Sequence, residues 1–298
     1  MDLLLPLLAM TLAANAQTAP SPTGAKTPDP APFSARRLAA EKLIGESGAE
    51  VSVAYRLLDG SEEWMHEADR VFHAASTMKV PVMIELFRQE SEKQLRLSDT
   101  VEIRNEFKSV VDGSPYSMEL GDDSDATLYL NVGKTMTLLE LNRQMITVSS
   151  NFAANLLIDR LGVKNVRATV EGLGAYGVEV RRGVEDQKAF DLGIINETTA
   201  RGLFVLLNAL ARGAAVSKSA SARMVEVLAA QEFNAGIPKG VPPGTRVAHK
   251  TGTITRVHHD AGIVYGSRPC VLVVLTRGIE KESDSDALIA RITRALLP

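Results

Sequence analysis

The chain has little of what marks several classes of protein. Of its 298 residues one is cysteine, Cys270, which excludes an internal disulfide and every multi-cysteine zinc pattern. Its 33 basic and 36 acidic residues nearly cancel to −3, so there is no broad positive field for nucleic acid. No block of like charge suits an anionic membrane surface, and no apolar run approaches the roughly 18 residues of a membrane span. The five histidines, His66, His73, His249, His258 and His259, lack metal-ligand spacing; His258 and His259 read as the start of a strand. Neither a metal nor a cofactor is therefore expected. There is no G-x-S-x-G, G-x-G-x-x-G or H-E-x-x-H, and Gly133-Lys134-Thr135 has Leu128 where a phosphate loop needs glycine.

The rest of the composition, 45% hydrophobic and 23% charged, is that of a globular chain with a sizeable core. Leu3 to Leu12 is apolar and is followed by Ala14-Asn15-Ala16, the small-x-small spacing of a signal-peptidase site. Residues 1–16 are expected to be a cleaved export signal, which implies a periplasmic or secreted product, although Asp2 stands where a basic residue is usual. Residues 17–33, with Pro20, Pro22, Pro28, Pro30 and Pro32, read as an extended tether. No exposed apolar stripe compels a partner, so a monomer is expected.

From residue 34 the periodicity predicts a helix over 35–44, a strand over 51–58 and, across the Asp59-Gly60 turn, a second strand over 63–66. Helical patterns follow over 77–89, 137–146, 151–161, 198–212 and 219–230. Strands return at 246–249, 261–265 and 269–276, and a last helix covers 284–297. Two early and three late strands imply one sheet built from both chain ends, with the helical middle as an inserted lobe. The sheet lobe would span about 34–75 and 231–298, the helical lobe about 76–230. The acidic stretch from Asp112 through Glu119, Asp122, Asp123 and Asp125 lacks calcium-loop register and reads as a solvated surface loop. Cys270, beside the apolar run Val271 to Leu275, reads as a buried structural thiol.

The remaining chemistry is that of serine. Ser76-Thr77-Met78-Lys79 opens a helix, and a serine and lysine three apart share a helical face, so the amine can reach the hydroxyl. Pro81 removes a hydrogen bond to the Thr77 carbonyl and should distort that first turn. Ser149-Ser150-Asn151 fills a polar break between two helix patterns, and Lys250-Thr251-Gly252 follows a strand. Each motif alone is weak, whereas the ordered trio is specific.

With these three motifs, and the stretch Met145 to Leu157 around the second, the chain resembles the serine β-lactamase and penicillin-binding protein superfamily, most of all class A β-lactamases, from about residue 34 to the end. The resemblance implies an α/β class, more narrowly an α+β sheet lobe plus an all-α lobe, with an antiparallel five-stranded sheet flanked by terminal helices. The small-molecule substrate it implies is a β-lactam. Ser76 would be the nucleophile and Lys79 its base, with an amine pKa lowered by burial and by the cation of Lys250. Ser149 would relay a proton to the leaving nitrogen. Asn151 would bind the substrate's side-chain amide, Lys250 and Thr251 its carboxylate, and the N–H of Thr253, beyond Gly252, would complete an oxyanion site.

Hydrolysis, as opposed to trapping, needs a base that activates water, and Glu185 in Arg182-Gly183-Val184-Glu185 is the candidate, ahead of Asp186 and Glu197. A surface pairing of Glu185 with Arg181 or Arg182 is the ordinary alternative, and Arg182 with Glu197 would clamp the loop's ends. Three positions depart from the class A pattern: Ser150 for Asp, Ala189 for a water-holding Asn, and Ala261 for a carboxylate-binding Arg, which Arg256 could replace. A D-Ala-D-Ala carboxypeptidase-like enzyme of cell-wall peptides and a non-turnover penicillin-binding sensor are the alternative functions.

Overall fold

The computed structural model describes residues 31–298. The expected export signal, 1–16, and most of the expected tether, 17–33, lie outside the described residues. Phe33, the last residue of that stretch, is already helical and packs its ring 5.7 Å from that of Tyr55.

Five antiparallel strands form the central sheet: β1 (Glu50–Leu57), β2 (Glu63–His66), β3 (Arg246–Ile254), β4 (Val257–Tyr265) and β5 (Cys270–Arg277), in the order β2-β1-β5-β4-β3. β1 pairs with β5 along its whole length, from Glu50 opposite Arg277 to Leu57 opposite Cys270. The first two strands are thereby joined to the last three across the intervening helices. Helix α1 (Phe33–Ser47) is followed by a 3₁₀ turn (Ala75–Met78) running into α2 (Lys79–Ser91). Then come α3 (Leu138–Thr147), α4 (Asn151–Leu161), α5 (Val163–Gly172), α6 (Gln187–Asp191), α7 (Ala200–Ala211), α8 (Lys218–Ala229), α9 (Ile237–Gly240) and α10 (Glu282–Leu296).

Side chains of a strand alternate between faces, so a strand buried on both sides reads as an unbroken apolar run, and Cys270 to Leu275 is such a run. Val271, Val273 and Leu275 join the core under the helical middle of the chain, with Met78, Val82 and Leu207. Cys270, Leu272 and Val274 face the opposite way, into the core closed by α1 and α10 with Ile44, Leu288 and Ile292. Burial pushes the Cys270 thiol up to about 12, in keeping with a packing role.

Elements with strong periodicity fall where expected, with ends displaced by a few residues. β3 runs on through Lys250-Thr251-Gly252, which therefore lies within the strand and not past its end. Helices α5, α6 and α9 were not expected. The expected helix over 77–89 is instead a 3₁₀ turn followed by α2, which places Pro81 third in the α-helix, where an N–H has no intrahelical partner to lose.

The second core is closed by a charge cluster. Arg36 of α1, itself 7% exposed, donates from Nη2 to both Glu62 carboxylate oxygens at 2.7 Å and from Nη1 to the Leu296 carbonyl of α10. Arg268 Nη1 donates to Glu62 Oε1 at 2.7 Å. Burial raises the Glu62 carboxyl pKa, and the two guanidiniums more than reverse this, leaving it below the usual value. A folded-state pKa below the unfolded one gives stability that is present above the unfolded pKa and lost as pH falls through the folded one. Glu62→Ala leaves Arg36 unpaired and should destabilise the fold by about 3 kcal/mol at neutral pH, with a smaller loss in acid, as read from urea midpoints.

Candidate active site

The polypeptide enters the turn that carries Ser76 under strain. Ala75, directly before Ser76, has φ +45, and its N–H donates to His73 Nδ1 at 3.0 Å. Thr77 Oγ1 donates to the Ala74 carbonyl at 2.6 Å, which closes the 3₁₀ turn that carries Ser76. The turn rests on β3. A Cβ added to Gly252 would lie 3.1 Å from the Ser76 nitrogen and from the Thr77 nitrogen, so any side chain here would press strand and turn apart by a few tenths of an ångström.

Lys79 and Lys250 are both fully buried, and they converge on one hydroxyl. Lys79 Nζ lies 3.0 Å from Ser76 Oγ and 3.3 Å from Ser149 Oγ, and donates to the Ser149 carbonyl at 2.6 Å and to Asn151 Oδ1 at 2.8 Å. Lys250 Nζ lies 2.9 Å from the same Ser149 Oγ and donates to the Thr251 carbonyl at 2.9 Å. Ser149 reaches both amines because it has φ +58, a conformation seldom taken by a residue with a side chain. The structure thus gathers Ser76, Lys79, Ser149, Asn151 and Lys250.

Burial holds the Lys79 amine down to about 7, while Asp123 and Glu185 act in the opposite direction. The leading cause is thus desolvation, one of the two expected, while the repulsion between the two lysines falls on Lys250. Lys250 is held well below its ordinary value by burial first and then by Lys79, with Asp260 opposing. Two ammoniums at one hydroxyl titrate as a pair, and losing one proton makes the other easier to keep.

Thr251 is half-buried behind Gly252, and Thr253, Ile254 and Thr255 line a cleft of about 390 Å³ together with Ser76, Asn151 and Glu185. β3 is the edge strand, so its outer side has no strand neighbour. Thr253 Oγ1 donates to Glu282 Oε1 at 2.9 Å.

Glu185 stands on the rim of this cleft at φ +58. Its outer side is exposed, but burial of the remainder raises the carboxyl pKa, Asp122 and Asp123 add to this, and Arg182 and Lys79 oppose it. It makes no ion pair among the described residues. The expected pairing with Arg181 or Arg182 is absent because those side chains are used elsewhere: Arg181 Nη1 donates to Glu197 Oε2 at 2.7 Å, and Arg182 Nε to the Ile194 carbonyl at 2.8 Å. The loop clamp expected of Arg182 with Glu197 is therefore made by Arg181. Asn196 reinforces it, accepting from the Arg181 and Arg182 N–H groups at 2.8 and 3.1 Å and donating to the Arg182 carbonyl at 3.1 Å.

Sequence reasoning missed Asn155, and it had Asp186 only as a weaker candidate for the base. Asn155, one turn after Asn151 on α4, accepts from Val184 N at 2.7 Å and donates to Val184 O at 2.9 Å, fixing the chain beside Glu185. A Cβ at Gly183 would fall 2.6 Å from Asn155 Oδ1, so this docking needs a glycine. The i, i+4 spacing of Asn151 and Asn155 was the available signal. Asp186, 2% exposed, caps α6 at Ala189 N and accepts from Ser109 Oγ and Val110 N, both at 2.9 Å.

The acidic stretch departs most from expectation. It is a solvated surface loop only in part: Asp112, Glu119 and Asp122 are exposed, with Lys188 Nζ reaching Asp112 Oδ2 at 2.9 Å, whereas Asp125 is buried and Asp123 accepts from the Asn151 and Phe152 N–H groups. Backbone donors attract the Asp123 carboxylate, and no sequence pattern displays such donors. Ala261, opposite Lys250, is fully buried in β4. Arg256 does not replace an arginine there; its Nε lies 3.1 Å from Glu280 Oε1, and its Nη2 donates to the Gly278 carbonyl.

The buried amine gives a stability prediction with a definite sign. The folded pKa of Lys79, about 7, lies below its ordinary 10.5. Between these values the unfolded chain binds the extra proton, so stability rises with pH there. Relative to Lys79→Met, the unaltered chain should gain stability as pH climbs from 6 to 10, measured by urea denaturation; a flat difference would contradict the titration.

A family model of the Beta-lactamase enzyme family matches residues 35–297. The chain is 28% identical over 265 residues to the carbapenem-hydrolyzing β-lactamase KPC of Klebsiella oxytoca, covering 86% of each protein. It is 31% identical over 121 residues to a β-lactamase of Rhodobacter capsulatus, a match that covers 41% of this chain and 37% of that protein. A solved β-lactamase from Sphaerobacter thermophilus DSM 20745 superimposes with a TM-score of 0.75 at 27% identity, covering 89% of this chain and 96% of that one. With its fold, its gathered serine and lysines and a family match over nearly the whole of the described residues, the chain belongs to the β-lactamase enzyme family.

Proposed function

We propose that the chain hydrolyses β-lactams through a serine acyl-enzyme intermediate of class A type. The observation that carries this reading is the meeting of Lys79 with Ser76 at 3.0 Å and of both buried lysines with Ser149, beside a cleft that Glu185 overhangs.

In this reading the neutral Lys79 amine takes the Ser76 hydroxyl proton as Oγ bonds to the lactam carbonyl carbon. The Ser76 and Thr253 N–H groups would receive the developing oxyanion. When the ring C–N bond breaks, the Ser149 hydroxyl gives its proton to the nitrogen and is reprotonated from the lysine pair. Asn151 would hold the acyl side chain's amide, and Lys250 with Thr251 the substrate carboxylate. Glu185 then takes a proton from water as the water oxygen attacks the ester carbonyl, and the ester bond breaks as that proton passes from Glu185 to Ser76 Oγ, which restores the carboxylate and the hydroxyl. A carboxyl raised by desolvation is a stronger base than an ordinary one once ionised, which suits this step.

One observation favours slow turnover as a second reading. Ala189 is fully buried and offers no amide to a hydrolytic water, as a carboxypeptidase-like enzyme or a penicillin-binding sensor would tolerate.

The test is the purified chain with a chromogenic cephalosporin, followed by intact mass. The unaltered chain should turn over many times. Glu185→Ala should lower turnover roughly 10²- to 10⁴-fold and accumulate an acyl adduct on Ser76. A lasting adduct on the unaltered chain would move the assignment to the second reading, and neither adduct nor turnover would overturn both.

A further inference from the structure

The segment between α2 and α3 grips both loops of the cleft. At one end Ser109 and Val110 hold the Asp186 carboxylate, and Tyr116 OH reaches the Val184 carbonyl at 3.3 Å. At the other end, residues 122–124 close over the Ser149-Ser150-Asn151 turn. Asp123 Oδ1 accepts from Asn151 N at 2.9 Å, and its Oδ2 from Phe152 N at 2.7 Å, Ser150 Oγ at 3.3 Å and Tyr129 OH at 3.4 Å. The Asp122 carbonyl accepts from Asn151 Nδ2 at 2.8 Å, and Ser124 Oγ donates to the Val148 carbonyl at 2.5 Å.

We propose that Asp123 is a positioning residue for acyl transfer: its carboxylate, brought from this segment onto the first turn of α4, holds Ser149 and Asn151 in the arrangement in which they meet Lys79. The proposal rests on the acyl-transfer reading above. Ser149 sits at φ +58, and such a conformation persists only where its surroundings fix it. The contacts at Val148 O and Asn151 N pin the chain on either side of it. With Asn151 Nδ2 tied to the Asp122 carbonyl, Oδ1 is the atom left to face Lys79 Nζ, at 2.8 Å. A carboxylate is also the favoured group over the exposed N–H groups that begin a helix. Ser150 caps α4 at Ala153 N, and Asp123 serves the two N–H groups before it.

The same carboxylate bears on Lys79 electrically. The charges facing that amine are Asp123 from this segment and Glu185 from the 181–197 loop, which favour its protonated form, and Lys250 from β3, which repels it. Neutralising Asp123 therefore makes the free amine available at lower pH.

The test compares the unaltered chain with Asp123→Asn, Asp123→Ala and Asp123→Glu. It reads melting temperature and the rate of acyl-adduct formation with a chromogenic cephalosporin across pH 5.5 to 9. The isosteric Asp123→Asn should fold, acylate roughly 10- to 100-fold more slowly, and show its acidic limb at lower pH. Asp123→Glu, which keeps the charge, should keep the limb in place. Where Asp123→Ala fails to fold, Asp123→Asn decides. An Asp123→Asn chain that acylates at the unaltered rate, or more slowly with an unmoved limb, would overturn the assignment. Absence of any adduct on the unaltered chain would instead overturn the acyl-transfer reading on which it stands.

Discussion

The site depends on two fully buried lysines meeting at one serine hydroxyl. An isolated ammonium in a protein interior is costly, and two are worse, so the arrangement holds only where oxygen acceptors surround both. The Ser149 carbonyl, Asn151 Oδ1 and the Thr251 carbonyl provide them. Each acceptor comes from the start of α4 or from β3, and Ser76 from the turn before α2. The two cores on either side of the sheet are what bring these three segments, far apart in sequence, to one place.

Around this centre the positioning is done largely by short polar side chains that reach backbone groups. Asn155 holds the chain at Val184, Asn196 ties both ends of the 181–197 loop, and Asp186 joins that loop to residues 109 and 110. Amides such as Asn155 and Asn196 can match a donor and an acceptor at once without placing further charge beside the lysines. Glu185 is left without an ion pair among the described residues, on a cleft that Ser76 and Asn151 also line, while Lys79 and Lys250 are fully buried.

Much of the architecture was legible in the sequence because its long elements carry strong periodicity. The pattern over 151–161 coincides with α4, and the run after Cys270 is the doubly buried β5. Helix α5 was hidden because it follows α4 across the single residue Gly162, and α6 and α9 are too short for a period to show. Ser76 and Lys79 were visible as a local pair. Ser149, Asn151 and Lys250 needed the resemblance, since no spacing rule links residues some 70 to 170 positions away from Ser76. Asp123 was misread for a physical reason: acidic composition argues for solvent only until backbone donors at a helix start outbid water. Arg181 and Arg182, adjacent and alike, could not be told apart without knowing which faces Glu197.

The segment from Ser109 to Ser124 is fastened at both ends, to Asp186 and to the start of α4. A loop with one anchor can change its number of residues freely, since each doubling costs only about 0.6 kcal/mol in closure entropy. A span bolted at two borders of the cleft has no such freedom: a deletion between the bolts would drag one border toward the other. Between the fixed points, exchanging side chains is the change that leaves both borders where they are.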